Sequence, residues 1–209
     1  MPPRSRSSSP DGAAKLLTRT IDDVDAFRAP SPKDRKGKGR DDTPADAPPK
    51  KDPLTVYSDD SDALNKYLRT VNKKDYSEAD RKRFNDLTKD VSERLEELPK
   101  HDGRTYRGAP GGEWVDKLKK GDFYNDHAFM SSSTSERTAE RFKAIATGAF
   151  GGERKDGVMV TIDGKSGRDI TDQSSLSHQK EVLFNRGSLF RVQDKTKDGD
   201  TTYLHLVEL

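Results

Sequence analysis

Three short segments hold side chains whose types and spacing suit chemistry. In Thr105-Tyr106-Arg107-Gly108, a strand-like run presents a guanidinium, which stays charged and offers forked donors that match a pyrophosphate. Gly108 permits a tight turn there, or the close approach of a ligand. Taken alone, the same tetrapeptide fits an ordinary strand end with a surface Arg. The second segment is Phe129-Met130-Ser131-Ser132-Ser133-Thr134-Ser135. Ser and Thr cap helices, but five hydroxyls in succession exceed what a cap requires. On an extended chain Ser131 and Ser133 share one face, from which they can hydrogen-bond a carboxylate or a sugar. The third is Gln179-Lys180-Glu181-Val182-Leu183-Phe184, with Glu181 at the mouth of an apolar strand and Gln179 on the same face if the chain is extended. A carboxylate at the edge of a core is either a solvated strand end or a catalytic group whose pKa is set by partial burial.

Elements to position these groups can be read from residue 53 onward. Leu64, Tyr67, Leu68 and Val71 recur at helical spacing,. A longer helix follows, with Ser77 as its cap and Phe84, Leu87, Val91, Leu95 and Leu98 as its stripe before Pro99,. Trp114 and Leu118 predict a third, short helix closed by Gly121. Ser135 with Glu136 opens a fourth, with Ala139, Phe142 and Ala146 on its buried face. The period then changes to that of strands. Val158, Val160 and Ile162 alternate with polar or flexible neighbours, and Val182–Phe184 and Leu189–Val192 flank a turn at Arg186-Gly187. Asp198-Gly199 introduces a hairpin into Thr201–Val207,. Helices first and strands later, without a repeating strand-helix-strand unit, predict an α+β domain with antiparallel sheets.

Composition limits what else the chain does. Of its 209 residues 36% are charged and 29% hydrophobic, and eight of the eleven prolines precede Pro53. Residues 1–52 cannot bury enough apolar surface to offset their ordering entropy, so they are expected to form a disordered basic tail, either a linker or an export segment. That tail holds twelve Lys/Arg against nine Asp/Glu while the whole chain is +2, so the remainder is near neutral and carries no dedicated nucleic-acid groove. The basic tail could still touch an anionic partner. The absence of cysteine excludes disulfides, thiol nucleophiles and thiolate metal sites,. The four His form no convincing ligand cluster. No apolar run reaches membrane-spanning length, and no apolar core follows the basic N-terminus as a Sec-type signal requires. Export, if it occurs, takes another route; otherwise the protein is cytoplasmic.

In their order, the three segments resemble the Arg-Ser-Glu class of mono-ADP-ribosyltransferases, the bacterial toxin and effector type. That class shows an aromatic-Arg-Gly strand, then Phe-x-Ser-x-Ser, then Glu-x-Glu or Gln-x-Glu leading into Val-Leu-Leu/Phe. Here these are Tyr106-Arg107-Gly108, Phe129-Met130-Ser131-Ser132-Ser133 and Gln179-Lys180-Glu181-Val182-Leu183-Phe184. Ala139 and Phe142 after the Ser segment agree with the class, as does Gly187 with Phe190-Arg191-Val192. The resemblance runs from the helices near Leu64 to the C-terminus. It implies an ADP-ribosyltransferase-like fold of two packed antiparallel sheets with N-terminal helices, and NAD as co-substrate without a metal.

The same resemblance implies roles for individual residues. Glu181 would hold the ribose 2′-hydroxyl and stabilise the cation that develops as nicotinamide leaves. Arg107 would bind the NAD phosphates, and Ser131 would orient Glu181 and the ribose, with Ser133 as a second candidate. Phe150 and Arg154 fall in a Gly-rich stretch where the class places a mobile loop, and would contact nicotinamide and a phosphate. Gln179 would meet the acceptor. Arginine-specific members usually carry Glu there, whereas Gln occurs in Rho-asparagine modifiers and guanine-modifying toxins. Both of those subgroups generally have an aromatic three residues earlier, where this chain has Leu176, with His178 as a substitute contact. The expected acceptor is therefore not arginine: a small GTPase, another host or competitor protein, or a nucleic-acid guanine, modified by a secreted or injected monomer. The rival readings are an NAD glycohydrolase and an inactive interaction module on the same scaffold.

Overall fold

Asp52 and Pro53 start the first helix by complementary means. Proline needs no N–H partner in a first turn, and the Asp52 carboxylate accepts from the Leu54 N–H at 2.8 Å. Helix α1 runs Pro53–Arg69 with one non-helical residue, Asp60. It buries Leu54, Tyr57, Leu64, Tyr67 and Leu68. Val71, expected on that stripe, lies past the helix end and is 98% exposed. Helix α2 (Glu78–Glu96) starts at Ser77, whose hydroxyl accepts from the Asp80 N–H at 3.0 Å. It buries Phe84, Val91 and Leu95 against α1. The computed structural model describes residues 51–149 and 155–209; residues 1–50 of the expected 1–52 tail, and Phe150 and Arg154, lie outside the described residues, while Asp52, expected in that tail, caps α1.

The strands are β1 (Arg104–Pro110), β2 (Phe123–Asn125), β3 (Met130–Ser133), β4 (Gly157–Asp163), β5 (Arg168–Asp169), β6 (Glu181–Phe184), β7 (Leu189–Asp198) and β8 (Thr201–Glu208). They bond in the order β2-β7-β8-β4-β1-β3-β6-β5. Between β1 and β3 the ladder narrows to one residue pair, Tyr106 with Ser133. It therefore divides into a five-stranded and a three-stranded part. The two pack on each other: Met130, Val182 and Phe184 of the smaller part share a core with Val158, Val160, Ile162, Phe190 and Leu204 of the larger. Leu183, on the opposite face of β6 as strand alternation requires, joins Phe129 and Ile170 in a second core under α1 and α2. The three-stranded part is thus held between helices and sheet. The buried guanidinium of Arg168 closes the seam, donating to the Leu95 carbonyl at 3.0 Å and the Ser166 carbonyl at 2.5 Å.

Two expectations need correction. Pairing is not antiparallel throughout, because β4 and β8 run parallel over seven residue pairs. The intervening residues 164–200 supply the long crossover that a parallel pair needs. Second, the short helix α3 (Glu113–Asp116) turns Val115 inward rather than Trp114, which is 36% exposed, and Leu118 follows its end. The expected turn at Arg186-Gly187 is present, with Gly187 at φ +80°; it leads from β6, paired with β3 and β5, to β7, paired with β2 and β8. The hairpin at Asp198-Gly199 does join β7 to β8, with Gly199 at φ +53°. Helix α4 (Glu136–Ala146), capped by Ser135, lies across β1 and β4, where Gly108 and Gly157 leave room for its backbone and side chains.

Candidate active site

The narrowing between β1 and β3 opens a cleft lined by Asn65, Arg69, Arg107, Ser131, Phe142, Gln179 and Glu181. Groups from all three predicted segments therefore meet in one place, and each arrives by its strand register. Ser133 lies directly opposite Glu181 across β3 and β6, and Ser131 opposite Leu183. That register makes Ser131 the diagonal neighbour of Glu181, within reach of a long side chain. Arg107, half-buried on β1, donates through Nη1 to the Ser131 carbonyl at 2.6 Å, so one arm of its fork is fixed to β3.

Glu181 is half-buried, open towards the cleft. Burial pushes its carboxyl up from the ordinary glutamate range, opposed by a hydrogen bond with the Ser131 hydroxyl and by the nearby charge of Arg107. Tyr57 lies behind Ser131, fully buried, with its hydroxyl 3.2 Å from Ser131 Oγ. Its pKa is pushed up to about 12, by burial first and the Glu181 charge second, so it remains a neutral donor. Asn65 Nδ2 donates to the Tyr57 hydroxyl at 3.1 Å, and Asn65 Oδ1 accepts from the Phe129 N–H at 3.2 Å. These contacts set a direction: Asn65 donates to Tyr57, Tyr57 to Ser131, and Ser131 to the ionised Glu181. Such a chain fixes the carboxylate without neutralising it.

Other candidates are placed less simply. Ser133 is buried; its hydroxyl donates to the Gln179 carbonyl at 2.6 Å and accepts from the Ser135 N–H at 3.0 Å. It is therefore engaged in holding backbone. Ser132 faces the other way and donates to the Val182 carbonyl at 2.9 Å. Gln179 is not on an extended chain. It ends a 3-10 turn, Ser177–Gln179, and Lys180 then takes left-handed angles (φ 49°, ψ 54°) before β6 begins. That reversal, not strand alternation, turns Gln179 towards the cleft beside Leu176, while His178 is exposed. Phe142 is not helix core: Ala139 and Ala146 carry the buried face, and Phe142 faces the cleft, half-buried.

Tyr57, Asn65 and Arg69 escaped sequence reasoning. The signal was present, since these residues with Ser61 recur every four positions and so form one stripe of a helix,. A polar stripe beside an apolar one reads as a solvated face unless its partners are known. Arg69 is paired through Nε and Nη2 with both oxygens of Asp126, at 3.0 and 2.7 Å. Among the described residues no group of three or more His, Asp or Glu could hold a metal ion, and no helix is long and apolar enough to cross a membrane.

Known proteins resemble this chain in sequence and in fold. The model of the family described as ADP-ribosyltransferase exoenzyme matches residues 41–208. Vis of Vibrio splendidus is 31% identical over 120 residues, covering 54% of this chain and 46% of that protein. Tre1 of Serratia proteamaculans, an NAD(+)–protein-arginine ADP-ribosyltransferase, is 28% identical over 119 residues, covering 56% and 23%. This chain thus matches less than half the length of such curated relatives. The crystal structure of Vis with agmatine superposes with a TM-score of 0.65 at 22% identity, covering 98% of this chain and 88% of that one. Exoenzyme S from Pseudomonas aeruginosa, solved with human 14-3-3 protein beta and carba-NAD, superposes at 0.58 with 23% identity, covering 75% and 71%. At these identities the structural likeness establishes a shared fold.

Proposed function

The chain belongs to the ADP-ribosyltransferase exoenzyme family, and on that premise we propose that it cleaves NAD at the nicotinamide–ribose bond and transfers the ADP-ribose to a macromolecular acceptor other than an arginine side chain. The observation that carries the proposal is the convergence of Arg107, Ser131 and Glu181 on one cleft, with Glu181 held through Ser131. As the glycosidic bond breaks, its electron pair leaves with the nicotinamide nitrogen and the ribose becomes cationic. A fixed carboxylate interacts more strongly with that cation than with the ground state, which is the requirement for catalysis. The acceptor atom then bonds to the ribose carbon and releases its proton. The free arm of Arg107 suits the NAD phosphates.

Because the working form of Glu181 is ionised and its pKa is raised, activity must fall as pH falls through that raised value. The acid limb of kcat/KM for nicotinamide release is expected above the free glutamate value of about 4.3. A limb at or below that value would remove Glu181 as the titrating group. Arg107→Lys keeps the charge but cannot both hold the Ser131 carbonyl and present a fork. Losing a charge-assisted hydrogen bond predicts an NAD dissociation constant raised about tenfold or more, read by calorimetry with circular dichroism unchanged. An unaltered constant would make Arg107 purely structural.

The acceptor reading rests on Gln179, which is neutral. It offers a donor and an acceptor to an amide or a nucleobase edge but cannot take a proton from a guanidinium. A second reading, arginine transfer, has two observations behind it: relatives such as Vis and Tre1 carry that activity in their names, and Vis is solved with agmatine, a free arginine mimic. Agmatine separates the two. The unmutated protein is expected to label agmatine poorly and lysate macromolecules well, and Gln179→Glu to lower native transfer and introduce agmatine modification while NAD cleavage persists. Efficient agmatine labelling by the parent would overturn the non-arginine reading and leave the enzyme class standing. Digestion of the labelled lysate with protease and, separately, nuclease shows whether the acceptor is protein or nucleic acid. Relatives described as a toxin and as a secreted exoenzyme support action outside the producing cell. Nicotinamide release with no macromolecule labelled would establish the glycohydrolase reading instead, and no release at all the inactive module.

A further inference from the structure

The loop that carries Gln179 is tied to the rest of the chain by hydroxyl groups at two points. After β5 it leaves through Ile170, turns on itself with the Gln173 and Ser174 N–H groups donating to the Ile170 carbonyl at 3.0 and 2.8 Å, and passes Leu176 before the 3-10 turn. Those bonds are local and do not place the loop against another element. At the far end Ser133 holds the Gln179 carbonyl at 2.6 Å. At the near end two side chains of α1 reach across. Thr55 Oγ1 donates to the Gln173 carbonyl at 2.7 Å, and Ser58 Oγ lies 2.8 Å from Ser174 Oγ and 3.4 Å from Ser175 Oγ. Ser174 Oγ also accepts from the Leu176 N–H at 3.1 Å, so the contact with α1 continues directly to a residue at the cleft. Both α1 residues precede the break at Asp60; Ser58 also lines the cleft, as Asn65 and Arg69 beyond the break do, whereas Thr55 does not.

We propose that Thr55 and Ser58 are positioning residues for transfer: by bracing the loop that bears Leu176 and Gln179, they set how much ADP-ribose passes to the acceptor rather than to water. This rests on the transferase reading above. The two outcomes share the first event, loss of nicotinamide with the bond electrons. They differ in whether the ribose carbon next bonds to an acceptor atom or to water oxygen, each giving up one proton. Water needs no platform. A macromolecular acceptor must be held in line, and misplacement by about 1 Å can cost on the order of 10²-fold. The brace therefore acts on one branch only.

The test is the full chain carrying Thr55→Val with Ser174→Ala and Ser175→Ala, which severs all three contacts with α1 without altering the Ser58 side chain. Nicotinamide release from NAD without acceptor should stay within about twofold, while labelling of the lysate macromolecule modified by the parent falls about tenfold or more through a raised acceptor KM. Amide hydrogen exchange should accelerate across residues 171–180 and nowhere else. An unchanged ratio of nicotinamide released to ADP-ribose incorporated would reduce the brace to a structural contact. A parallel fall in both branches, with or without a lower melting temperature, would assign these hydroxyls to the NAD site or the fold and overturn the proposal. Thr55→Val alone, the milder change, should shift the ratio in the same direction. A parent that releases nicotinamide but labels nothing would reject the transferase reading itself, a result distinct from any behaviour of the variant.

Discussion

Glu181→Gln is expected to slow NAD cleavage by about 10²–10³, with NAD affinity little changed and the melting temperature equal to or above that of the parent. Glutamine keeps the shape of the side chain and can still accept from Ser131, so the chain from Asn65 through Tyr57 stays closed. What disappears is the charge opposite the developing ribose cation. The stability half follows from the sign of the pKa shift. Burial raises the folded-state value, so the native protein binds this proton more tightly than the unfolded chain does. Stability therefore falls as pH rises from the ordinary carboxylate value through the raised one, and at neutral pH the native state carries the whole penalty of an ionised, partly desolvated carboxylate. Glutamine removes that penalty. Stopped or discontinuous assay of nicotinamide release, with thermal melts on the same samples, measures both. Activity within about threefold of the parent, well short of the expected loss, would remove Glu181 from its role. A fall in melting temperature of several degrees would mean that the lost activity reports damage to the fold.

Which parts of this architecture were legible in the sequence depends on the range of the forces that build them. The α2 stripe, the Ser77 and Ser135 caps and the β7–β8 hairpin are decided by neighbours within a few residues, and periodicity and turn chemistry read them correctly. The parallel pairing of β4 with β8 joins residues far apart along the chain, and no local pattern encodes it. Val71 continues the helical spacing but lies beyond the point where Thr70 ends the helix. The residues of the site divide in the same way. Arg107, Ser131 and Glu181, which meet in the cleft, could be singled out because each sits in a short run with its own strand or turn signature. Tyr57 and Asn65 were not, because what ties them to the site is contact with residues more than sixty positions away, Ser131 and Phe129. Gln179 reaches the cleft by a route the sequence did not suggest: left-handed Lys180, not an extended chain, delivers it there.

Gly108 supplies the second large effect, because what its hydrogen side chain accommodates is backbone. A Cβ at this position would lie 1.9 Å from the Ala139 carbonyl oxygen and 2.5 Å from the Lys143 nitrogen. Neither atom can rotate away, so α4 would have to lift from β1. The glycine is therefore explained by the approach of a helix, where its sequence setting suggested a tight turn or a ligand. Overpacking of a close-packed contact costs about 1–3 kcal/mol or more. For a chain of this size each kcal/mol lowers the melting temperature by about 2–4 °C, so Gly108→Ala should melt several degrees below the parent. Activity should fall with it. Lifting α4 displaces Phe142 from the cleft and pulls on Ser135, whose N–H is bonded to Ser133, which in turn holds Gln179. A second substitution tests the cause. If side-chain crowding were responsible, Ala139→Gly would relieve it; because the clash is with the Ala139 carbonyl, the double variant should be no better, and worse by the roughly 1 kcal/mol that glycine costs inside a helix. Rescue by Ala139→Gly would refute the backbone account. A Gly108→Ala protein that melts with the parent yet binds NAD weakly would show that the glycine makes room for the ligand after all.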